Sequence, residues 1–211
     1  MASTAHLRLR RIHGFAGLFI GGFLVLHLTN HLAALGGVEA HITLMDLLRR
    51  IYRQPLLEAL LLAAVALQVG LGLTFLWRAR GRRHHPVARL QLLSGAYLAF
   101  FLLVHVGAVM VGRFSGLDTN FHFASAGYRQ LLTALFFVPY YFLAVLALFT
   151  HLGCAAYWLL GSDKAPTARL ALASMMLAGA AISMLISLCL AGVLIAFEVP
   201  ANYLETYSNF R

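Results

Sequence analysis

The sequence predicts an all-α integral membrane protein, a five-helix bundle. Of its 211 residues, 61% are hydrophobic and only 11% are charged, and the mean hydropathy is +0.82. Five apolar runs each reach the roughly 20 residues that a helix needs to cross about 30 Å of hydrocarbon. The predicted spans are roughly 12–34, 56–78, 90–112, 131–160 and 168–197. They fill most of the chain, so we expect a single transmembrane domain over 1–211 and no soluble catalytic domain.

Two segments between the spans are predicted to lie on the membrane surface. Segment 36–54 mixes apolar residues such as Leu47 and Ile51 with Arg49 and Arg50, a pattern typical of an amphipathic interfacial helix. Segment 114–130 contains Gly, Asp, Asn and aromatic residues and predicts a surface loop.

The distribution of Lys and Arg predicts the orientation of the bundle. With the N-terminus in the cytoplasm, ten of the sixteen Lys and Arg residues fall on that side and six on the other. The positive-inside rule therefore favours a cytoplasmic N-terminus and an outer C-terminus, in the inner (plasma) membrane of the cell. The net charge of +9 sits beside span ends, which does not indicate nucleic-acid binding.

A few polar side chains fall at membrane depth, where ionisable groups are costly and usually functional. Counting at about 1.5 Å per residue, His27 and His105 each lie fifteen residues past the inner ends of the outward-running spans one and three. Both should therefore lie at one level in the outer half of the bilayer. By the same count, Gln68 in span two and His151 in span four share a level in the inner half.

Two matched levels favour two layers of b heme, because heme iron is commonly held by a histidine on each face. The outer level has its pair, His27 and His105, whereas the inner level has His151 facing Gln68, and an amide is a poor iron ligand. His31 is one turn from His27 and is an alternative outer ligand or a residue near a quinone. Each histidine could instead be a hydrogen-bonded residue that joins helices.

The stretches Arg10-Arg11-Ile12-His13-Gly14, Phe23-Leu24-Val25-Leu26-His27-Leu28 and Asn30-His31 carry a family resemblance. They resemble the opening of the single-chain cytochrome b subunit of succinate:menaquinone oxidoreductases and fumarate reductases. The similarity runs through nearly the whole chain and includes the order of histidines on spans one, three and four.

The resemblance implies a subunit that anchors a flavoprotein and an iron–sulfur protein on the cytoplasmic face. It also implies two stacked b hemes, the outer one held by spans one and three and the inner one by spans two and four. His151 matches the span-four ligand, but Gln68 stands where the family usually has histidine. One or two hemes are therefore expected, with menaquinone or another quinone as substrate.

Heme propionates need basic or hydroxyl partners near the membrane surface, although such residues also anchor lipid headgroups. The outer candidates are Arg113, Tyr128 and Arg129, and the inner ones are Arg11, His13, His84, His85 and Arg89. A quinone also needs a group that exchanges protons. The outer-side candidates for that role are Glu39, His41, Asp46 and Glu58.

The expected function is that of the membrane subunit of a succinate dehydrogenase or fumarate reductase complex, which moves electrons between its iron–sulfur partner and quinone. No catalytic residue is assigned to this chain, because the dicarboxylate chemistry would take place on partner subunits. Two alternatives stay open: an independent membrane cytochrome b, and a heme-free anchor or assembly protein.

Overall fold

The structure, a computed structural model, describes residues 4–81, 85–161 and 165–206. Throughout these ranges the secondary structure is helical, with no strand. The α-helices are α1 (Thr4–Ala33), α2 (Val38–Tyr52), α3 (Pro55–Ala79), α4 (Pro86–Phe114), α5 (Phe121–Ala126), α6 (Leu131–Leu160), α7 (Ala165–Leu190) and α8 (Ala201–Glu205). A short 3-10 helix, Ala34–Gly36, follows α1.

Five of these helices are long and apolar enough to cross a membrane. Their spans are Leu7–Gly36, Pro55–Ala79, Pro86–Phe114, Leu131–Leu160 and Ala165–Leu190. Many of their large apolar side chains are exposed, as expected for helices that face lipid. The chain is therefore a multi-pass membrane protein in contact with the lipid membrane. The predicted all-α class and the predicted number of spans are confirmed.

The last span is shorter than its apolar sequence suggests. The sequence remains largely apolar through Phe197, but α7 ends at Leu190, seven residues before the predicted end. Gly192 has a φ of +77°, and the Val193 N–H donates to the Leu188 carbonyl at 2.9 Å. This arrangement closes a helix C-terminus and needs a residue that adopts positive φ, so glycine, rather than hydropathy, sets the boundary.

The chain divides into two compact units, Met1–Arg82 and Arg83–Arg211. In the first unit, α1 packs antiparallel to α3, and α2 packs against the C-terminal half of α1. Gly37, with a φ of +106°, forms the sharp turn that leads into α2. The helix α2 lies within the predicted segment 36–54, with His41 and Met45 buried and Leu47 and Ile51 exposed.

The second unit is built around α6, which packs extensively against α7 and also against α4. Small residues allow the backbones of α6 and α7 to approach closely: a Cβ on Gly179 would come within 2.5 Å of Phe149. The buried Ser183 hydroxyl donates to the Phe142 carbonyl at 2.6 Å, which also joins α7 to α6. Between α4 and α6, the Tyr97 hydroxyl donates to the Tyr140 carbonyl at 2.9 Å.

Candidate functional site

The side chain of His151 in α6 is held by the N-terminal part of α4. Its Nδ1 lies 3.2 Å from the Gln91 carbonyl oxygen and 3.3 Å from the Ser94 hydroxyl. The Ser94 hydroxyl itself donates to the Gln91 carbonyl at 3.1 Å. A Cβ on Gly95 would lie 3.1 Å from Cε1 of the His151 ring, so the absence of a side chain there gives the ring its place. We call Gln91, Ser94, Gly95 and His151 the Gly95 site.

These contacts favour one tautomer of His151. A carbonyl oxygen can only accept, so the contact with Gln91 is a hydrogen bond in the tautomer that carries its proton on Nδ1. In the neutral ring, Nε2 is then unprotonated and offers its lone pair. Metal-binding histidines are commonly oriented in this way, by an N–H donated from the other ring nitrogen to a backbone carbonyl.

In the first unit, Gln68 of α3 lies against a glycine of another helix, as His151 does in the second unit. Its Nε2 lies 3.2 Å from Nε2 of His13 on α1, and a Cβ on Gly17 would lie 3.1 Å from the same amide nitrogen. The His13 ring also contacts the Phe75 ring edge-on, with 5.4 Å between centroids. We call His13, Gly17 and Gln68 the Gly17 site. The sequence suggests a surface position for His13, whereas the structure joins it to an intramembrane side chain.

The two sites are built alike within their own units. In each, a glycine on a long helix makes room for a polar side chain from another long helix of the same unit. His27 follows Gly17 by ten residues, and His105 follows Gly95 by ten residues. Each histidine therefore lies about 15 Å farther along its helix than the glycine. Each unit thus carries polar side chains at two separated levels.

His27 begins a row of rings in the first unit. The Phe23 ring stacks on it at 5.4 Å, and the His31 ring contacts it edge-on at 4.7 Å. His31 in turn contacts His41 at 5.3 Å, and Asn30 Nδ2 lies 3.1 Å from Nε2 of the buried His41. Asn30 and His41 therefore form a buried link between α1 and α2, a role that the sequence did not indicate.

His105 lies among aromatic rings in the second unit. The Phe101 ring stacks on it at 4.9 Å and 12°, and the Tyr141 ring contacts it edge-on at 6.3 Å. Tyr128 stacks on Tyr141 at 6.2 Å. Burial raises the pKa of Tyr128 to about 12, against a smaller opposite effect of the Ser187 hydroxyl, so the phenol stays protonated. Among the described residues, the buried Tyr128 hydroxyl makes no hydrogen bond of good geometry.

The two outer arginine candidates already have neighbours. The Arg129 guanidinium lies 4.3 Å from the Phe197 ring centroid and donates to the Ala191 carbonyl at 3.4 Å. Burial lowers the pKa of Arg129. Arg113 is half-buried and lies 3.9 Å from the Met110 sulfur. Of the three outer candidates, Tyr128 therefore has the buried hydroxyl that best suits an oxygen acceptor.

The inner propionate candidates are spread over several elements. His85 accepts a hydrogen bond from the Val87 N–H at 3.3 Å and caps the start of α4, while its ring stacks on Tyr157. Arg11 and Arg89 are exposed. His84 lies outside the described residues.

The acidic candidates for proton exchange do not converge with one another. Glu39 is exposed on the first turn of α2, and Asp46 pairs with Arg49 at 3.4 Å. Glu58 is half-buried on the first turn of α3. Among these candidates, only His41 is buried.

Within the described ranges, no group of three or more His, Cys, Asp or Glu side chains is arranged to bind a metal ion directly. Heme demands less of the protein, because the porphyrin supplies four ligands and each face needs one side chain. The tautomer of His151 fits that requirement. The sequence carries no specific signal for the Gly95 and Gly17 sites, because a ten-residue interval from glycine to histidine also occurs at Gly21 and His31 and at Gly112 and His122.

Comparisons with known proteins leave the site to be interpreted from its own geometry. No protein family, curated protein or solved structure matches the chain.

The Gly95 site predicts how His151 responds to a single added methyl group. Gly95→Ala should displace the imidazole, because the new Cβ would lie 3.1 Å from its ring. In the heme-free chain, ¹⁵N NMR of the histidines should show His151 protonated at Nδ1, and Gly95→Ala should shift those resonances. Gly107→Ala is the matched control on α4, since its Cβ would meet nothing within 4 Å. Protonation at Nε2 alone in the unaltered chain would contradict the assignment.

Proposed function

We propose that this chain is the heme b-carrying membrane subunit of a succinate dehydrogenase or fumarate reductase complex. The observation that carries the proposal is the geometry of His151, whose Nδ1–H is held by the Gln91 carbonyl so that Nε2 is available to iron. The family resemblance of the sequence supplies the kind of complex.

The proposed topology has the N-terminus in the cytoplasm and the C-terminus outside, in the inner (plasma) membrane. Under this orientation, α1 and α4 run outward, so the Gly17 and Gly95 sites lie in the inner half and His27 and His105 in the outer half. A flavoprotein and an iron–sulfur protein dock on the cytoplasmic face. Quinone is the substrate within the membrane.

In this proposal, His27 and His105 are the residues that would hold the outer b heme. His151 would hold a second, inner heme as its only strong protein ligand. The Tyr128 hydroxyl is available to a propionate of the outer heme. The inner heme is therefore expected to be high-spin and able to bind carbon monoxide.

A bound b heme supplies reversible one-electron transfer. The protein's own part is to position the ligands and to exclude water. Gln91 and Ser94 retain the Nδ1 proton of His151, and the Phe101 ring, flat against His105, restricts rotation of that imidazole. The apolar helices around these residues keep the local dielectric low, which is one of the means by which proteins tune a heme potential.

Removal of single imidazoles tests the ligand assignment. His27→Ala and His105→Ala should each abolish the low-spin absorption of one b heme, and His151→Ala should abolish the high-spin, carbon monoxide-binding signal. His122→Ala is the control, because that histidine lies on the short helix α5, outside the five spans. The measurements are visible spectra with and without carbon monoxide. Unchanged spectra in the His27→Ala and His105→Ala variants would refute the outer site.

The partner assignment predicts co-purification of flavin. Isolation from the native membrane in mild detergent should give a complex with flavin absorbance, docked on the face that carries Arg89. Arg89→Glu should reduce the flavin recovered per chain by about tenfold, since rim charges steer association. Arg50→Glu, an equally exposed change on the opposite proposed face, should leave recovery unchanged. Repeated isolation of the chain alone would count against a dehydrogenase partner.

A further inference from the structure

The Gly17 site contains a buried oxygen atom, Oε1 of Gln68, that accepts no hydrogen bond from the described residues. Gln68 uses its Nε2 toward His13, at 3.2 Å. Its Oε1 is buried, and no donor among the described residues reaches it. If the amide is turned around, the same count holds, because one polar atom faces His13 and the other has no partner.

Gln68 lies deep within a membrane span. The residue lies eleven positions before Ala79, about 16 Å from that end of α3, well within the hydrocarbon thickness. Water is scarce at this depth, and polar groups of spanning helices are normally satisfied by the protein or by something bound to it. The missing partner is therefore expected to be an apolar molecule whose hydroxyl donates to Oε1, or whose carbonyl accepts from Nε2 when the amide is turned.

The Gly95 site differs from the Gly17 site in the polar side chain that it holds. There the intramembrane residue is an imidazole whose Nδ1 is bonded to a carbonyl and a hydroxyl of α4. In the Gly17 site the corresponding side chain is an amide bonded to an imidazole, so the pair can donate and accept hydrogen bonds but is poorly suited to iron. In both sites a glycine makes room for a polar side chain from another helix. That side chain is an imidazole in the Gly95 site and an amide in the Gly17 site.

We propose that Gln68 and His13 bind the oxygen of a quinone or hydroquinone head group. A hydroquinone O–H donates to Gln68 Oε1, and with the amide turned, Nε2 donates to a quinone carbonyl. This inference rests on the proposed electron-transfer function and moves the quinone site to the α1–α3 interface. The acidic candidates Glu39, Asp46 and Glu58 are then not needed for binding.

The test uses the full chain in phosphatidylcholine nanodiscs, with menadiol, a naphthohydroquinone, as the probe. Anaerobic equilibrium dialysis, corrected with protein-free nanodiscs, gives the dissociation constant. Gln68→Leu and His13→Leu should each weaken binding by about fivefold or more, the loss expected for one hydrogen bond. Gln54→Leu is the matched control, an exposed glutamine at the other end of α3.

A second pair of variants disturbs the site without removing a polar group. Gly17→Ala should weaken menadiol binding, because its Cβ would lie 3.1 Å from Gln68 Nε2. Gly22→Ala, where a Cβ would meet nothing within 4 Å, should bind as the unaltered chain does. Gel filtration and circular dichroism of each variant confirm that it is folded before binding is compared.

The outcomes separate this inference from the proposed function. If folded Gln68→Leu and His13→Leu bind menadiol within about twofold of the unaltered chain, or the unaltered chain does not bind it, the quinone site is overturned. Heme measured in the same samples is independent of that result: heme lost on His151→Ala with menadiol binding unchanged in Gln68→Leu would leave the proposed function standing without this site.

Discussion

The constraint on which the structure depends is that a polar group in a membrane span must find its partner within the protein. Hydrocarbon offers no water to an exposed N–H, C=O or hydroxyl. The chain meets this requirement by cross-helix hydrogen bonds: Tyr97 to the Tyr140 carbonyl, Ser183 to the Phe142 carbonyl, and His151 to Gln91. Each bond also fixes where two helices meet. The polar residues that are costly in lipid are therefore the ones that set the helix register.

Glycine residues where helices cross make these hydrogen bonds possible. A hydrogen bond between helices requires close approach, and a side chain at the crossing would prevent it. Gly95 admits the His151 ring and Gly17 admits the Gln68 amide. In each unit, one helix carries a glycine that admits a polar side chain from another helix. The same helix carries a histidine ten residues farther along. What differs is the residue that fills the space, and this difference is the basis for proposing iron binding for His151 and hydrogen bonding for Gln68.

The sequence predicts much of the fold because spans are long and their signal is strong. Five spans and the helix α2 follow from hydropathy and periodicity. The predicted end of α7 is wrong because Gly192 stops the helix while the sequence is still largely apolar. Local turn geometry of this kind does not appear in a hydropathy average.

The site is harder to predict than the spans. His27, His105 and His151 stand out as imidazoles at membrane depth, but the partners of His151 lie 57 and 60 residues away, and only the packing of α4 on α6 reveals them. His13 follows two arginines, which suggests the surface, whereas antiparallel packing of α1 and α3 brings it to Gln68. The predicted pairing of histidines on one heme remains a prediction from depth along the spans.

The most direct test of the central claim is the amount of heme per chain. The purified chain should be assayed by pyridine hemochrome together with protein quantitation, and its visible spectrum recorded. The account predicts two b hemes per chain, one low-spin and one high-spin. A folded chain isolated from its native membrane with no heme would contradict the account, and two low-spin hemes would show that the ligand at the inner level has been misassigned.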